Sequence, residues 1–213
     1  MSYNNIGNVY RDQGNNEKAL EYYKKSLRIK ELLGGKIGIA MSYNNIGNVY
    51  IDQGNNEKAL EYYKKSLKIK EEIGDKIGIA SSYNNIGLVY LEQGNNEKGL
   101  EYYKKSLKIR EEIGDKRRIT ISYNNIGNVY RDQGNNEKAL DYHEKSLKIR
   151  EEIGDKWGMA NSCSNIGIIY REEDNLEKAL KYLLKSKNIY KEINVINGLD
   201  ETAKELMEVY EKL

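Results

Sequence analysis

Few side chains in this sequence have the chemistry to form or break bonds, and their placement limits what they can do. There is one histidine, His143, and one cysteine, Cys163, at unrelated positions of a repeating pattern. A nucleophilic Cys–His pair needs the two side chains to meet, and a zinc site needs further soft ligands, so neither set is available. His143 stands where Tyr23, Tyr63 and Tyr103 stand in otherwise similar segments, which marks it as a half-buried packing residue. Cys163 likewise takes the place of a tyrosine. Carboxylates such as Glu71 and Glu72 recur at fixed positions and read as a solvated face. None of the 19 glycines sits between a strand and a helix in a phosphate-binding pattern. No catalytic residue, metal or cofactor is expected.

The amide side chains are different. Asn5, Asn45, Asn85, Asn125 and Asn165 recur every 40 residues, with Asn8, Asn48 and Asn128 three positions on. Each offers one acceptor and two donors, the complement of a peptide group. Asparagine is a poor helix former, so its repetition within helical patterns needs a cause. The basic residues divide into two sets. Lys24, Lys25, Lys64, Lys65, Lys104 and Lys105 lie beside Glu21, Glu61 and Glu101 at helical spacing, as ordinary i to i+4 ion pairs. Lys30, Lys70, Arg110 and Arg150 instead fall within an apolar stripe. Their stems would pack while the heads reach solvent, free helix carbonyls or a ligand groove.

The elements that position these groups follow from the period. YNNIGNVYIDQGNNEKALEYYKKSLKIKEEIGDK begins at Tyr43, and nearly the same segment returns at Tyr123, so the repeat is 40 residues long and occurs five times. Seventeen of the 19 tyrosines fall at four repeat positions. Ile39, Tyr43, Ile46, Gly47 and Tyr50 recur at three- and four-residue spacing on one side of a first helix, with Asn44, Asn45, Asn48 and Asp52 on the other. Gly54 supplies a stop that tolerates positive φ, and Asn55 or Asn56 the next N-cap. A second helix carries Ala59, Leu60, Tyr62, Tyr63, Ser66, Leu67, Ile69 and Ile73, ending at Gly74, after which Asp75 can cap the following unit. Each unit is a helix hairpin that cannot bury its own face, so the units must stack.

Tyr43, Ile46, Gly47, Tyr50, Ala59, Leu60, Tyr63 and Ser66 resemble the signature of the tetratricopeptide repeat, which nearly the whole chain meets in register. The usual Pro near the end of the second helix is absent, and the period is 40 where about 34 is common. Both fit a lengthened second helix, as in the arrays of spindle-orientation adaptors, kinesin light chains and bacterial regulators. The resemblance implies an all-α, right-handed superhelical solenoid of stacked antiparallel hairpins, about 11 helices in all. Residues 1–196 would form five hairpins, the first truncated, and residues 197–213 a capping helix with Met207 in the place of the repeat glycine. It also implies that the first helices line the concave side, so that the asparagine ladder holds an extended peptide of a protein partner.

Identical rungs cannot discriminate among ligands, so specificity is expected where the repeats differ. The position after the repeat tyrosine reads Arg11, Ile51, Leu91, Arg131 and Arg171, and Leu88 and Ile168 replace the inner asparagine. This predicts an apolar middle at Ile51, Leu88 and Leu91 with acidic ligand flanks towards Arg131 and Arg171. The neighbouring Asp12, Asp52, Glu92, Asp132 and Glu172 pair with these arginines or select basic ligand residues instead.

Charge and hydropathy exclude other classes. Lys plus Arg number 35 against 33 Asp plus Glu, a net +2 that gives no pull towards nucleic acid or anionic lipid. No apolar stretch is long enough to span a membrane, and a lone cysteine fits a reducing compartment, so a cytoplasmic protein is expected. Met1 aligns with Met41, so the chain reads as starting inside a repeat, with an uncovered edge that invites end-to-end self-association. A structural spacer or self-assembling array is therefore the alternative to a peptide-binding scaffold. Irregular substitutions such as Gly99, Arg117, Arg118 and Cys163 favour natural duplication over a consensus design.

Overall fold

In a computed structural model residues 2–213 are described, and among them the chain forms eleven α-helices and no strand. It divides into two compact units. The first, ending at Ile113, holds α1 (Tyr3–Asp12), α2 (Asn16–Leu32), α3 (Lys36–Asp52), α4 (Asn56–Glu72), α5 (Lys76–Glu92) and α6 (Asn96–Glu112). The second, Gly114–Leu213, holds α7 (Lys116–Asp132), α8 (Asn136–Ile153), α9 (Lys156–Glu172), α10 (Leu176–Glu192) and α11 (Ile196–Lys212). Within each unit every helix packs on its neighbour in the chain, so odd and even helices pair as hairpins and the hairpins stack.

The turns follow from local chemistry. Gly54 adopts φ +70°, a left-handed conformation that ends α3 at little steric cost. Asn55, rather than Asn56, then caps α4, its side-chain oxygen accepting from Lys58 N at 3.1 Å. Asp75 does the same for α5, accepting from Gly78 N at 2.9 Å. In the last two turns Asp174 and Asn194 take the left-handed place of glycine, with φ of 58° and 55°.

Two devices recur in the hairpins. A buried serine on the even helix donates to a carbonyl of the odd one: Ser66 Oγ to Ala40 O at 2.8 Å, and Ser186 Oγ to Ala160 O at 2.9 Å. Beside it, the repeat glycine admits a ring from the partner helix. A Cβ built on Gly47 would stand 2.7 Å from Tyr63 Cε1, closer than van der Waals contact allows. Further out, Tyr62 stacks on Tyr50 with centroids 5.5 Å apart and tilts against Tyr43 at 6.0 Å, while Lys65 Nζ lies 4.9 Å from its centroid. Most of the tyrosine content is thus a packed seam within the hairpins. The exposed Lys–Glu pairs are present as spaced, with Lys65 Nζ 2.5 Å from Glu61 Oε1.

Gly99, an irregularity in the sequence, has a packing cause. Every other repeat places alanine there and arginine or isoleucine eight residues earlier, whereas this one pairs Gly99 with Leu91. A Cβ on Gly99 would fall within the Leu91 side chain. Gly99→Ala should therefore destabilise by about 1–3 kcal/mol. In a Leu91→Ile background, which reproduces the Ile51–Ala59 pair, most of that loss should vanish. Denaturant titrations of the four chains read this as a coupling of about 1–2 kcal/mol, and additive effects would disprove the pairing.

Candidate functional site

The predicted asparagine row forms part of an interlocked network. Within the first unit Asn45 Nδ2 donates to Asn4 Oδ1 at 3.3 Å and Asn85 Nδ2 to Asn44 Oδ1 at 3.1 Å. Adjacent odd helices are thereby stitched to one another, each amide keeping one N–H and its own oxygen for another partner. In the second unit the pattern changes: Asn124 Nδ2 donates to Asn161 Oδ1 at 2.7 Å, with Asn165 one turn beyond Asn161 on α9. Asn5 is exposed, while Asn45, Asn85, Asn125 and Asn165 are half-buried.

The inner asparagines have a different role. Asn8 and Asn48 accept from the hydroxyls of Tyr23 and Tyr63, each at 2.7 Å. These are the rings that lie on Gly7 and Gly47, and burial drives the Tyr63 hydroxyl well above its ordinary pKa. In one repeat the two positions change together. Leu183 replaces the tyrosine over Gly167, and Ile168 replaces the asparagine, so both polar partners disappear together. Leu88 takes the place of that asparagine in the third repeat, where Tyr103 is retained, and is itself 40% exposed.

His143 occupies the tyrosine place over Gly127 and is fully buried rather than half-buried. Its Nδ1 lies 3.1 Å from Asn124 Oδ1. The shorter ring leaves two buried atoms without a protein partner, His143 Nε2 and Asn128 Oδ1. Burial, with Arg131 and Arg150 adding repulsion, pushes the imidazole pKa down to about 3. Cys163 is also fully buried and its thiol is pushed up to about 11, the reverse of what a nucleophile needs.

The variable positions meet their neighbours inside the protein. Arg11 holds Asp52 across helices through two bonds, at 2.5 and 3.1 Å. Arg171 is paired with Glu205 and Glu208 of α11, so its charge is already engaged at one end of the row. Arg131 reaches Asp132 at 3.4 Å. Ile51 packs against the core of the first unit and Leu91 fills the space over Gly99. Arg11, Arg131 and Arg171 thus pair with carboxylates, and Ile51 and Leu91 pack on their neighbours, while Leu88 is exposed.

The exposed apolar groups lie elsewhere, one turn from the start of the odd helices. A cleft of about 300 Å³ between α3 and α5 is lined by Met41, Asn44, Asn45, Ile77, Ser81 and Asn85, with Lys70, Asp75 and Gly78 completing it. Met41 is 51% and Ile77 50% exposed. In the second unit Trp157 and Ile121 are exposed at the corresponding repeat positions. The sequence carried this signal: positions that are apolar in several repeats yet adjacent to the polar stripe.

The basic residues of the apolar stripe are resolved as well. Lys70 is 8% exposed and its Nζ donates to Ser82 Oγ at 2.9 Å, as Lys30 does to Ser42 at 3.0 Å. Arg150 donates to the carbonyl of Gly158 and to Ser162 Oγ. Gly38, Gly78 and Gly158 leave room for these stems, since a Cβ at Gly78 would lie 2.8 Å from Lys70 Cδ.

The orphaned pair at His143 and Asn128 gives a pH-dependent test. Folded His143 stays neutral to about pH 3, whereas in the unfolded chain it takes up a proton near pH 6.5. Below that value the unfolded state binds more protons, so this group costs nothing at pH 7 and progressively more as pH falls. His143→Tyr removes the effect and returns a donor to Asn128. The variant should be more stable by about 1 kcal/mol at pH 7, and its advantage should widen by about 2 kcal/mol at pH 5. Urea titrations at the two pH values check this, and an advantage independent of pH would contradict it.

Comparison with known proteins agrees with this architecture. No curated protein matches the chain. Among solved structures it is similar to BtubC (BKLC) from P. vanneervenii, with a TM-score of 0.80 and 23% identity over 89% of this chain and 79% of that one. It also matches a Signal Transduction ATPase with Numerous Domains from Pyrococcus horikoshii that has a tetratricopeptide repeat sensor, at TM-score 0.84 and 24% identity. That match covers 96% of this chain but 31% of the other, so the chain spans less than a third of the larger protein. A putative kinesin light chain from Podospora anserina with nearly identical repeats aligns at TM-score 0.75 and 14% identity, over 91% and 95% of the two chains. At these identities the likeness is one of fold. The family model described as Tetratricopeptide repeat matches residues 1–72, 78–152 and 118–192, and with the hairpins and their glycine–ring contacts in place, the chain belongs to the tetratricopeptide repeat family.

Proposed function

We propose that this protein is a non-enzymatic scaffold that binds an extended segment of a partner protein along its odd helices. Tetratricopeptide repeats in general are scaffolds for protein partners rather than catalysts. The observation that carries the reading to particular residues is the cleft between α3 and α5. There, half-exposed Met41 and Ile77 stand beside amides that retain hydrogen-bonding capacity. Apolar contact supplies affinity, and a regular row of Asn5, Asn45 and Asn85 supplies partners for a peptide backbone whatever its sequence. In the second unit Asn125 and Asn165, and the exposed Ile121 and Trp157, stand at the corresponding repeat positions. The sensor role named for the repeat of the P. horikoshii protein is compatible with such recognition.

Selection of a displayed random-peptide library against the chain tests this directly. Selected peptides should lose at least tenfold in affinity towards a variant carrying Asn45→Ala, Asn85→Ala and Ile77→Ser, with helicity confirmed by circular dichroism. A control with Glu61→Ala and Lys65→Ala, which removes an exposed ion pair of α4, should bind unchanged. If no peptide distinguishes the first variant from the original chain, the reading is wrong. A mass that rises with concentration and falls when Tyr3 is made polar would then support the self-assembling alternative.

A further inference from the structure

We infer that His143 is a positioning residue for the ligand surface of the second unit: through Asn124 it releases the amide of Asn165, so that α9 can hold a peptide group there. The inference rests on the proposed peptide-binding reading for the nature of the ligand. The hydrogen bonds that carry it lie among α7, α8 and α9.

In the first unit the ladder amides are partly spent on the protein itself. Asn45 Nδ2 donates to Asn4 Oδ1 and Asn85 Nδ2 to Asn44 Oδ1, a separation of 41 residues each time. The same offset from Asn165 leads to Asn124. There, however, Asn124 Oδ1 faces His143 Nδ1 at 3.1 Å, and Asn124 Nδ2 donates to Asn161 Oδ1 at 2.7 Å. Asn161 stands where the other repeats carry Met41, Ser81 and Ile121. In this arrangement the Asn124 oxygen can only accept, so the imidazole proton sits on Nδ1. Nε2, left as a bare acceptor, is the ring atom without a protein partner.

Both polar ends of Asn124 are thereby engaged elsewhere, and half-buried Asn165 makes no side-chain hydrogen bond to another described residue. It keeps two N–H groups and its oxygen, the full complement of one peptide group, whereas Asn45 and Asn85 each have one N–H committed. Trp157, Asn161 and Asn165 follow one another at four-residue spacing along α9, so they share a row. Trp157, at its start, is 54% exposed. The eight residues from Trp157 to Asn165 rise about 12 Å, which an extended chain spans in about three or four residues. The fitting ligand is therefore an extended segment with an apolar side chain on Trp157 and a peptide group that far along on Asn165.

The test has two arms, both read by NMR on the intact chain. Without ligand, the imidazole nitrogen shifts should show His143 protonated at Nδ1, and the Asn165 side-chain amide should exchange as an unbonded group. His143→Tyr restores the ring of the other hairpins, whose hydroxyl turns to Asn128 as Tyr63 does to Asn48. Asn124 Oδ1 can then accept from Asn165, and exchange of that amide should slow about threefold. In the second arm the neutral probe acetyl-Ser-Thr-Ser-Leu-Ser-Thr-Ser-amide, whose central leucine serves either chain direction, should shift Asn165 and Trp157 signals saturably. It should bind His143→Tyr about fivefold more weakly, as the loss of one hydrogen bond requires. Adding Asn124→Ala to His143→Tyr removes the competing oxygen and should restore binding, which removal of a further side chain could not do if His143 acted only by packing. Protonation at Nε2, an Asn165 amide unaffected by His143→Tyr, no response of Asn165 to the probe, or no recovery with Asn124→Ala would each overturn the inference. Asn45, Asn85 and Ile77 are untouched throughout, so this inference can fail while library peptides still depend on them, and the two readings are judged separately.

Discussion

The contact on which the hairpins depend is the approach of a ring on the even helix to a glycine on the odd one. Gly47 and Tyr63 define it, with no room for a single methyl group between backbone and ring. Once that distance is set, the ring edge selects what stands opposite: Asn48 accepts from the hydroxyl, and where the ring becomes Leu183 the opposite residue becomes Ile168. Burying one polar partner without the other costs more than removing both, which accounts for that paired change. At His143 and Asn128, and at Tyr103 and Leu88, one side is altered and the other retained.

A second constraint concerns charge. Lys30, Lys70 and Arg150 are long cationic side chains threaded through the apolar stripe towards serines of the next odd helix. The stems contribute packing area and the heads meet a hydroxyl instead of bulk water. The arginines at the variable positions are used for stacking as well, with Arg11 on Asp52 and Arg171 on Glu205 and Glu208 of α11. Much of the charge variation among repeats is thus explained by contacts between neighbouring helices, and the surface left for a partner is defined by half-exposed apolar residues and amides.

The asparagines illustrate how sequence position and role separate. Asn45 and Asn48 lie three residues apart and share a polar stripe, yet Asn45 bonds to the preceding odd helix while Asn48 accepts a buried hydroxyl from α4. A helical wheel gives both the same face. The difference arises because one points towards the adjacent hairpin and the other towards the ring inside its own.

The sequence by itself determined the helices, their caps, their pairing into hairpins and the family. Those depend on local chemistry and on a short period: Gly54 at positive φ, Asn55 and Asp75 as caps, and apolar residues at three- and four-residue spacing. It also marked His143 as a packing residue, though it underestimated its burial. Only the tertiary structure decided which polar residues face one another across helices. That Leu91 fills the space over Gly99, that Arg171 is held by α11, and that Lys70 is held by Ser82 at the border of a cleft with Met41 and Ile77 depend on contacts between helices. A period places a residue on a face, but the residue it meets there is fixed by how closely two backbones approach.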